Sequence, residues 1–113
     1  MLAIIATADD TLNVVEFDED KSYETLSKAV GGLIECVSIP SLGVDMWINE
    51  EGKVNGLDLN GFGCALWVSE YGYTDIIVGD VIITGGVDEE GRTLGLTDRQ
   101  VEKVLSKVYE TLK

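Results

Sequence analysis

Apolar and polar positions along this 113-residue chain fall into blocks whose period switches between two and about 3.6, and each switch predicts an element boundary. Leu2 to Thr7 is a short apolar run suited to a buried strand, and Ala8-Asp9-Asp10-Thr11 turns it. Leu12 to Phe17 returns as a second strand, giving an opening hairpin. After the acidic loop Asp18-Glu19-Asp20, Ser22 is placed to N-cap a helix from Tyr23 to Val30. Tyr23, Leu26, Ala29 and Val30 share one of its faces, and Gly31-Gly32 closes it with the left-handed geometry that glycine accepts. A third strand runs from Leu33 to Ile39 and stops at Pro40-Ser41-Leu42-Gly43. Val44 to Asn49 then alternates cleanly. Val44, Met46 and Ile48 fall on one side, and Trp47 joins Asp45 and Asn49 on the polar side. A tryptophan there is either covered by another element or exposed for binding.

The second half repeats the grammar. Asn49-Glu50-Glu51-Gly52 reads as a type I turn, with Val54 to Leu57 as its short return strand. Asp58 or Asn60 caps a helix running to about Tyr71. Phe62, Ala65 and Leu66 form one of its faces, while Cys64, Trp67, Val68 and Tyr71 cover most of the rest. A helix apolar all round is buried on several sides, and a partner or symmetry mate is one way to cover the second. Ile76 to Thr84 is the most strand-like run, bent at Gly79-Asp80. Thr97-Asp98-Arg99-Gln100 is a capping box. It opens a last helix whose Val101, Val104, Leu105, Val108 and Leu112 form a helical stripe. The expectation is a single α+β domain over residues 1–113: a mostly antiparallel sheet of about five or six strands with three helices, the amphipathic C-terminal one packed on one face.

Two stretches are spelled nearly alike. Ile48 to Leu57 and Val87 to Leu96 agree at five of ten places, and conservatively at three more. Internal duplication would explain this, but so would two hairpins asking for the same turn chemistry. The second explanation is preferred, because the helices that follow share no pattern. On either account Glu50, Glu51, Glu89 and Glu90 face solvent, with Lys53 and Arg92 one step past each glycine.

Composition narrows the chemistry. Twenty-one acids against eight bases give a net charge of −13. Between Ala29 and Gly91 the only base is Lys53, against eleven acids. Such a surface repels nucleic-acid backbones and attracts basic partners, although plain solubility would also be served by it. There is no histidine, so the usual general base is missing, and zinc sites built from Cys and His are excluded. Cys36 and Cys64 are expected to be reduced, buried and apolar in role. Asp18-x-Asp20-x-Ser22 opens like a calcium loop, but Tyr23 and Ala29 stand where glycine and glutamate are needed. No cofactor, metal or catalytic residue is expected. No apolar run approaches the ~20 residues of a membrane span, and no basic, signal-like start precedes Asp9. A cytoplasmic location is therefore expected.

Tyr23-x-x-Leu26-x-x-x-Val30-Gly31-Gly32-x-Ile34-Glu35, then Trp47-x-Asn49-Glu50-Glu51-Gly52-Lys53, Asn60 and Ile77-x-Gly79-Asp80 together resemble a family of small uncharacterised proteins of bacteriophages and mobile elements, known as a domain of unknown function. The resemblance covers roughly residues 20 to 90 and implies an accessory protein acting in the bacterial host. With the charge, it gives the leading expectation. This is a non-enzymatic acidic binder that antagonises a host defence factor by occupying a basic, nucleic-acid-handling surface, without contacting nucleic acid itself. The alternatives are an oligomeric protein that sequesters a nucleotide signal between Trp47, Trp67 and Tyr71, and a structural or assembly protein without a ligand. The residues expected to bind are Trp47, Glu50, Glu51, Lys53, Trp67, Tyr71, Glu89, Glu90 and Arg92.

Overall fold

Alternation along a strand separates its two faces but does not say which face is core, and in this protein both are. The computed structural model describes residues 1–112. Its five strands are β1 (Leu2–Ala6), β2 (Leu12–Glu16), β3 (Ile34–Ile39), β4 (Val44–Asn49) and β5 (Val81–Gly85). They form one sheet in the order β2-β1-β5-β4-β3, antiparallel throughout. Helix α1 (Ser22–Val30) lies on one face, while α2 (Gly61–Tyr71) and α3 (Asp98–Leu112) pack together against the other. The architecture is α+β with three layers.

The register lines up one row of side chains on each face. Val14, Ile4, Ile83, Met46 and Val37 are successive cross-strand partners, and the last four belong to the core beneath α2 and α3. Ile4, Ile83 and Met46 have no solvent exposure, and burial of each side chain contributes about 1.5–3 kcal/mol. The row one step along is Asn13, Ile5, Ile82, Trp47 and Cys36. It faces α1, whose Leu26 and Val30 pack onto Ile82, with Ile5 and Trp47 at the margin. The supposedly polar side of β4 is thus an inner face. Asp45 and Asn49 are both buried there.

Local signals set the helices. Asn60 caps α2, its side-chain oxygen accepting from Gly63 N–H. Thr97 and Gln100 form the expected reciprocal box, each backbone N–H bonded to the other's side chain at 2.9 and 3.1 Å. Gly31 ends α1 in the left-handed conformation and donates to Ser27 C=O. Ser22 is not the cap of α1. A 3-10 turn over Glu19–Lys21 leads into the helix, and the Ser22 hydroxyl donates back to Glu19 C=O. Along α3, Val104 and Val108 are buried, whereas Leu112 is exposed.

One predicted strand is not a strand, and another is a strand only over its second half. Val54 to Leu57 does not return along β4, and Val54 is 87% exposed. Both edges of β4 are already paired, to β3 and β5, so a return strand has nothing to join. Instead Asn49 folds the chain down. Its side-chain oxygen accepts from Glu51 N–H, and Asn55 and Leu57 N–H bond back to Glu51 and Gly52. Ile76 to Gly79 likewise stays outside the sheet, which β5 enters only at Val81. Ile77 bonds instead to Asn60 N–H and to the Cys64 thiol, while Trp67 Nε1 donates to Thr74. That segment and α3 pack against sides of the all-apolar α2 that a partner or symmetry mate was one way to cover.

Candidate functional site

A nine-residue helix is about 13 Å long and about 10 Å wide, whereas five strands at about 4.8 Å spacing span roughly 20 Å. α1 therefore cannot close its face of the sheet. It leaves an open groove of about 740 Å³ along its flank. Ser22, Tyr23 and Leu26 of α1 form one wall, and Ile34 of β3 and Trp47 of β4 the floor. Glu19, Asp20 and the segment Gly91-Arg92-Thr93 close one end. Tyr23, which shares a helix face with the buried Leu26 and Val30, is 59% exposed there. Trp47 is half-buried, its Nε1–H fixed by the Thr84 hydroxyl at 2.9 Å. Both predicted fates of Trp47 are thus combined, with α1 covering one part of the ring and the groove reaching the other.

The segment that closes the groove is the second acidic turn, and its geometry is tight. A single antiparallel bridge joins Val87 to Thr93. Asp88 N–H donates to Arg92 C=O, and Gly91 N–H to Asp88 C=O. Gly91 takes φ = 79°, where a side chain would be strained. The Asp88 carboxylate accepts from the backbone N–H of Arg92 and Glu90 and from Arg92 Nε, each at 2.9 Å. Led by the Arg92 N–H, these bonds hold its carboxyl below the ordinary range. Arg92 also reaches Glu90 at 2.7 Å and approaches Glu19 at 3.9 Å.

The first acidic turn is built differently and lies elsewhere. It leaves β4 at the end where β3 begins, whereas the second leaves β5 beside the start of β4. The two turns therefore occupy opposite ends of the sheet, and the similarity in spelling is not a structural repeat. Glu50 and Glu51 are exposed, and Lys53 is bonded to Asp75, whose carboxyl it holds below the ordinary range. Glu50, Lys53 and Trp67 line a small crevice of about 140 Å³. Trp67 stacks on Tyr71 with ring centroids 4.4 Å apart, and the Tyr71 hydroxyl donates to Ser38 C=O on the edge strand β3. Trp47 faces α1, while Trp67 and Tyr71 belong to α2 on the far side of the sheet. The three aromatics do not share a pocket. Of the nine expected residues, Trp47 and Arg92 meet in the groove, beside the hairpin's Glu89 and Glu90.

Sequence reasoning missed the groove's other members. Glu19, Asp20, Tyr23, Leu26 and Ile34 come together only because α1 folds back over β3 and β4. A second row on this face, Ser38, Asp45 and Thr84, was also unforeseen. Asp45 is only 9% exposed, and burial pushes its carboxyl above the ordinary range. Beside it, Cys36 is exposed rather than buried, because β3 is an edge strand that α1 does not reach across. Partial desolvation of its sulfur by the surrounding chain, then the neighbouring Asp45, still push the thiol up to about 11, which leaves it a poor nucleophile at neutral pH. Cys64 lies across the sheet on α2, so the two cysteines do not meet.

No helix among the described residues is long and apolar enough to cross a membrane, and no cluster of potential ligands among them is arranged to hold a metal ion. No curated protein and no solved structure matches the chain significantly. One family does match, over residues 1–109, nearly the whole fold and every residue of the groove. The chain belongs to the family described as a domain of unknown function, DUF3846.

Proposed function

We propose that this chain is a non-enzymatic acidic binding protein of phage or mobile-element origin. It acts in the cytoplasm of a bacterial host and antagonises a host factor by occupying a basic surface that otherwise handles nucleic acid. The observation that carries the reading is how the −13 charge is displayed. Carboxylates crowd both ends of the sheet. Glu16, Asp18, Glu19, Asp20, Glu89 and Glu90 are exposed at one end, and Asp9, Asp10, Glu50, Glu51, Asp58 and Asp75 at the other. Two of the bases among them are already engaged, Arg92 by Asp88 and Glu90 and Lys53 by Asp75, while Lys21, beside Asp20, is exposed and absent from the ion pairs among the described residues. Phosphate-bearing ligands meet far more carboxylates than free cations on these surfaces, which weighs against the nucleotide-sequestering alternative. A basic protein partner would be steered from about a Debye length away.

The test is capture of partners from a bacterial lysate by the immobilised protein at about 50 mM and about 500 mM salt, with duplex DNA as competitor. Retention of a nucleic-acid-handling protein at low salt, weakened at least about tenfold at high salt and displaced by DNA, is the expected result. A partner held equally at both salt concentrations would refute the electrostatic reading.

A further inference from the structure

We propose that the groove beside α1 receives an arginine side chain from a basic segment of the protein partner, the guanidinium lying against Trp47 and Tyr23 and pairing with Glu19 and Asp20. The inference rests on the acidic-binder reading and gives that contact a place. Three observations select the occupant. The groove, at about 740 Å³, lies within the roughly 300–1,000 Å³ range of side-chain and ligand pockets. Its floor and wall are apolar and aromatic (Tyr23, Leu26, Ile34, Trp47), whereas its closed end carries Glu19 and Asp20 beside Arg92, which is itself paired to Asp88 and Glu90. A side chain with an aliphatic stem and a planar cationic tip satisfies both, and guanidinium stacks on aromatic rings more readily than the strongly hydrated lysine ammonium does.

The second observation is the protein's own arginine. At the groove's end Arg92 is held by Asp88 and Glu90 and approaches Glu19, so this rim already accommodates a guanidinium. Even with Arg92 and Lys21 counted, Glu19, Asp20, Asp88, Glu89 and Glu90 leave the rim net negative. The third is Asp45, nine-tenths buried two residues from Trp47 on the same face and absent from the ion pairs among the described residues. When ionised, it adds negative potential on this side of the sheet, in the sense that favours a cation.

The experiment uses the full chain labelled with nitrogen-15, titrated to about 10 mM with capped glycyl-arginyl-glycine, its lysine counterpart and spermidine, in low salt. The expected result is movement of the Trp47 indole N–H signal and of the amides of Tyr23, Leu26, Ile34 and Thr93, with the Trp67 indole unmoved. Arginine should bind about tenfold more tightly than lysine or spermidine. Glu19→Gln with Asp20→Asn should weaken it about tenfold, and Glu50→Gln with Glu51→Gln, the same charge change at the far end, less than twofold. Both pairs are exposed, and an undisturbed spectrum verifies that each variant is folded. Equal response to all three cations, or shifts centred on Glu50 to Lys53, would overturn the groove while leaving an acidic binder in place. No shift with any cation would overturn the groove. The binder reading would fall with it only if the lysate partner also proved insensitive to salt.

Discussion

Asn60 is the residue whose replacement should reveal most about how the molecule is tied together. It has no solvent exposure and uses both ends of its amide. The oxygen accepts from Gly63 N–H at 2.9 Å, capping α2, and the nitrogen donates to Ala6 C=O at 2.9 Å and Gly79 C=O at 2.8 Å. One side chain thus joins the end of β1, the bend before β5 and the start of the helix. Asn60→Ala leaves one buried donor and two buried acceptors without this partner, at about 1–3 kcal/mol for each group left unsatisfied. Carbonyls retain a second lone pair, so the lower part of that range applies, and the total comes to about 3–5 kcal/mol. A domain of this size has roughly 5–15 kcal/mol to lose. Asn60→Asp is the sharper probe. As helix caps, Asn and Asp are nearly equivalent, so a purely capping role makes this change harmless. Here the second carboxylate oxygen would face two carbonyl oxygens in a buried site, which raises its folded pKa. A raised carboxyl binds more protons in the native state, so the loss is smallest below the unfolded pKa of about 3.9 and grows as pH rises through the folded value. A lift of about two units, within the range for buried carboxyls, corresponds to about 2.7 kcal/mol. Urea unfolding of wild type and both variants at pH 4.5 and 7.5 measures this. Asn60→Asp matching wild type at both pH values, or Asn60→Ala costing under about 1 kcal/mol, would refute the tethering argument.

Asp45 titrates in the same direction, because burial lifts its carboxyl. Asp45→Asn should therefore raise the melting temperature at pH 7.5, and the gain should vanish as pH falls below about 4; scanning calorimetry across that window checks it. With its thiol raised to about 11, Cys36 should be alkylated about tenfold more slowly at pH 7.5 than an unperturbed thiol, since the scarcer thiolate is partly offset by higher nucleophilicity. Asp45→Asn should speed that reaction, and mass spectrometry of iodoacetamide-treated protein reports both rates. A methyl group at Gly85 would stand 2.3 Å from the Gly95 carbonyl oxygen, backbone that cannot step aside. Gly85→Ala is expected to cost about 1–3 kcal/mol, read from its urea midpoint.

What the sequence made legible was local. The reciprocal box at Thr97 and Gln100, the cap at Asn60, the glycine close of α1 and the alternation of β4 all depend on residues within a few positions of each other. The errors share one cause, which is that local patterns do not reveal which sheet edges are occupied. Val54 to Leu57 has the composition of a return strand, but β4 has no edge left for it. Ile76 to Gly79 is more strand-like than β2, yet it packs beneath α2. Trp47 and Asp45 look outward until α1, from earlier in the chain, is laid over their face of the sheet. The groove was least legible of all, since its walls come from residues 19–26, 34, 47 and 91–93, joined only by the three-layer packing.

The position of β5 has a consequence for how the chain is made. β1 with β2, and β3 with β4, are hairpins between sequence neighbours that can form as soon as they are synthesised. The strand that unites them comes last and enters the middle of the sheet, between β1 and β4. Until residue 85 has left the ribosome, a nascent chain carries two hairpins with unsatisfied inner edges, the kind of edge that recruits other chains. Completion depends on long-range pairing, the slow part of folding. During that interval like-charge repulsion among growing copies keeps the open edges apart. The acidity that would draw a basic partner to the finished protein thus first protects the unfinished one from itself.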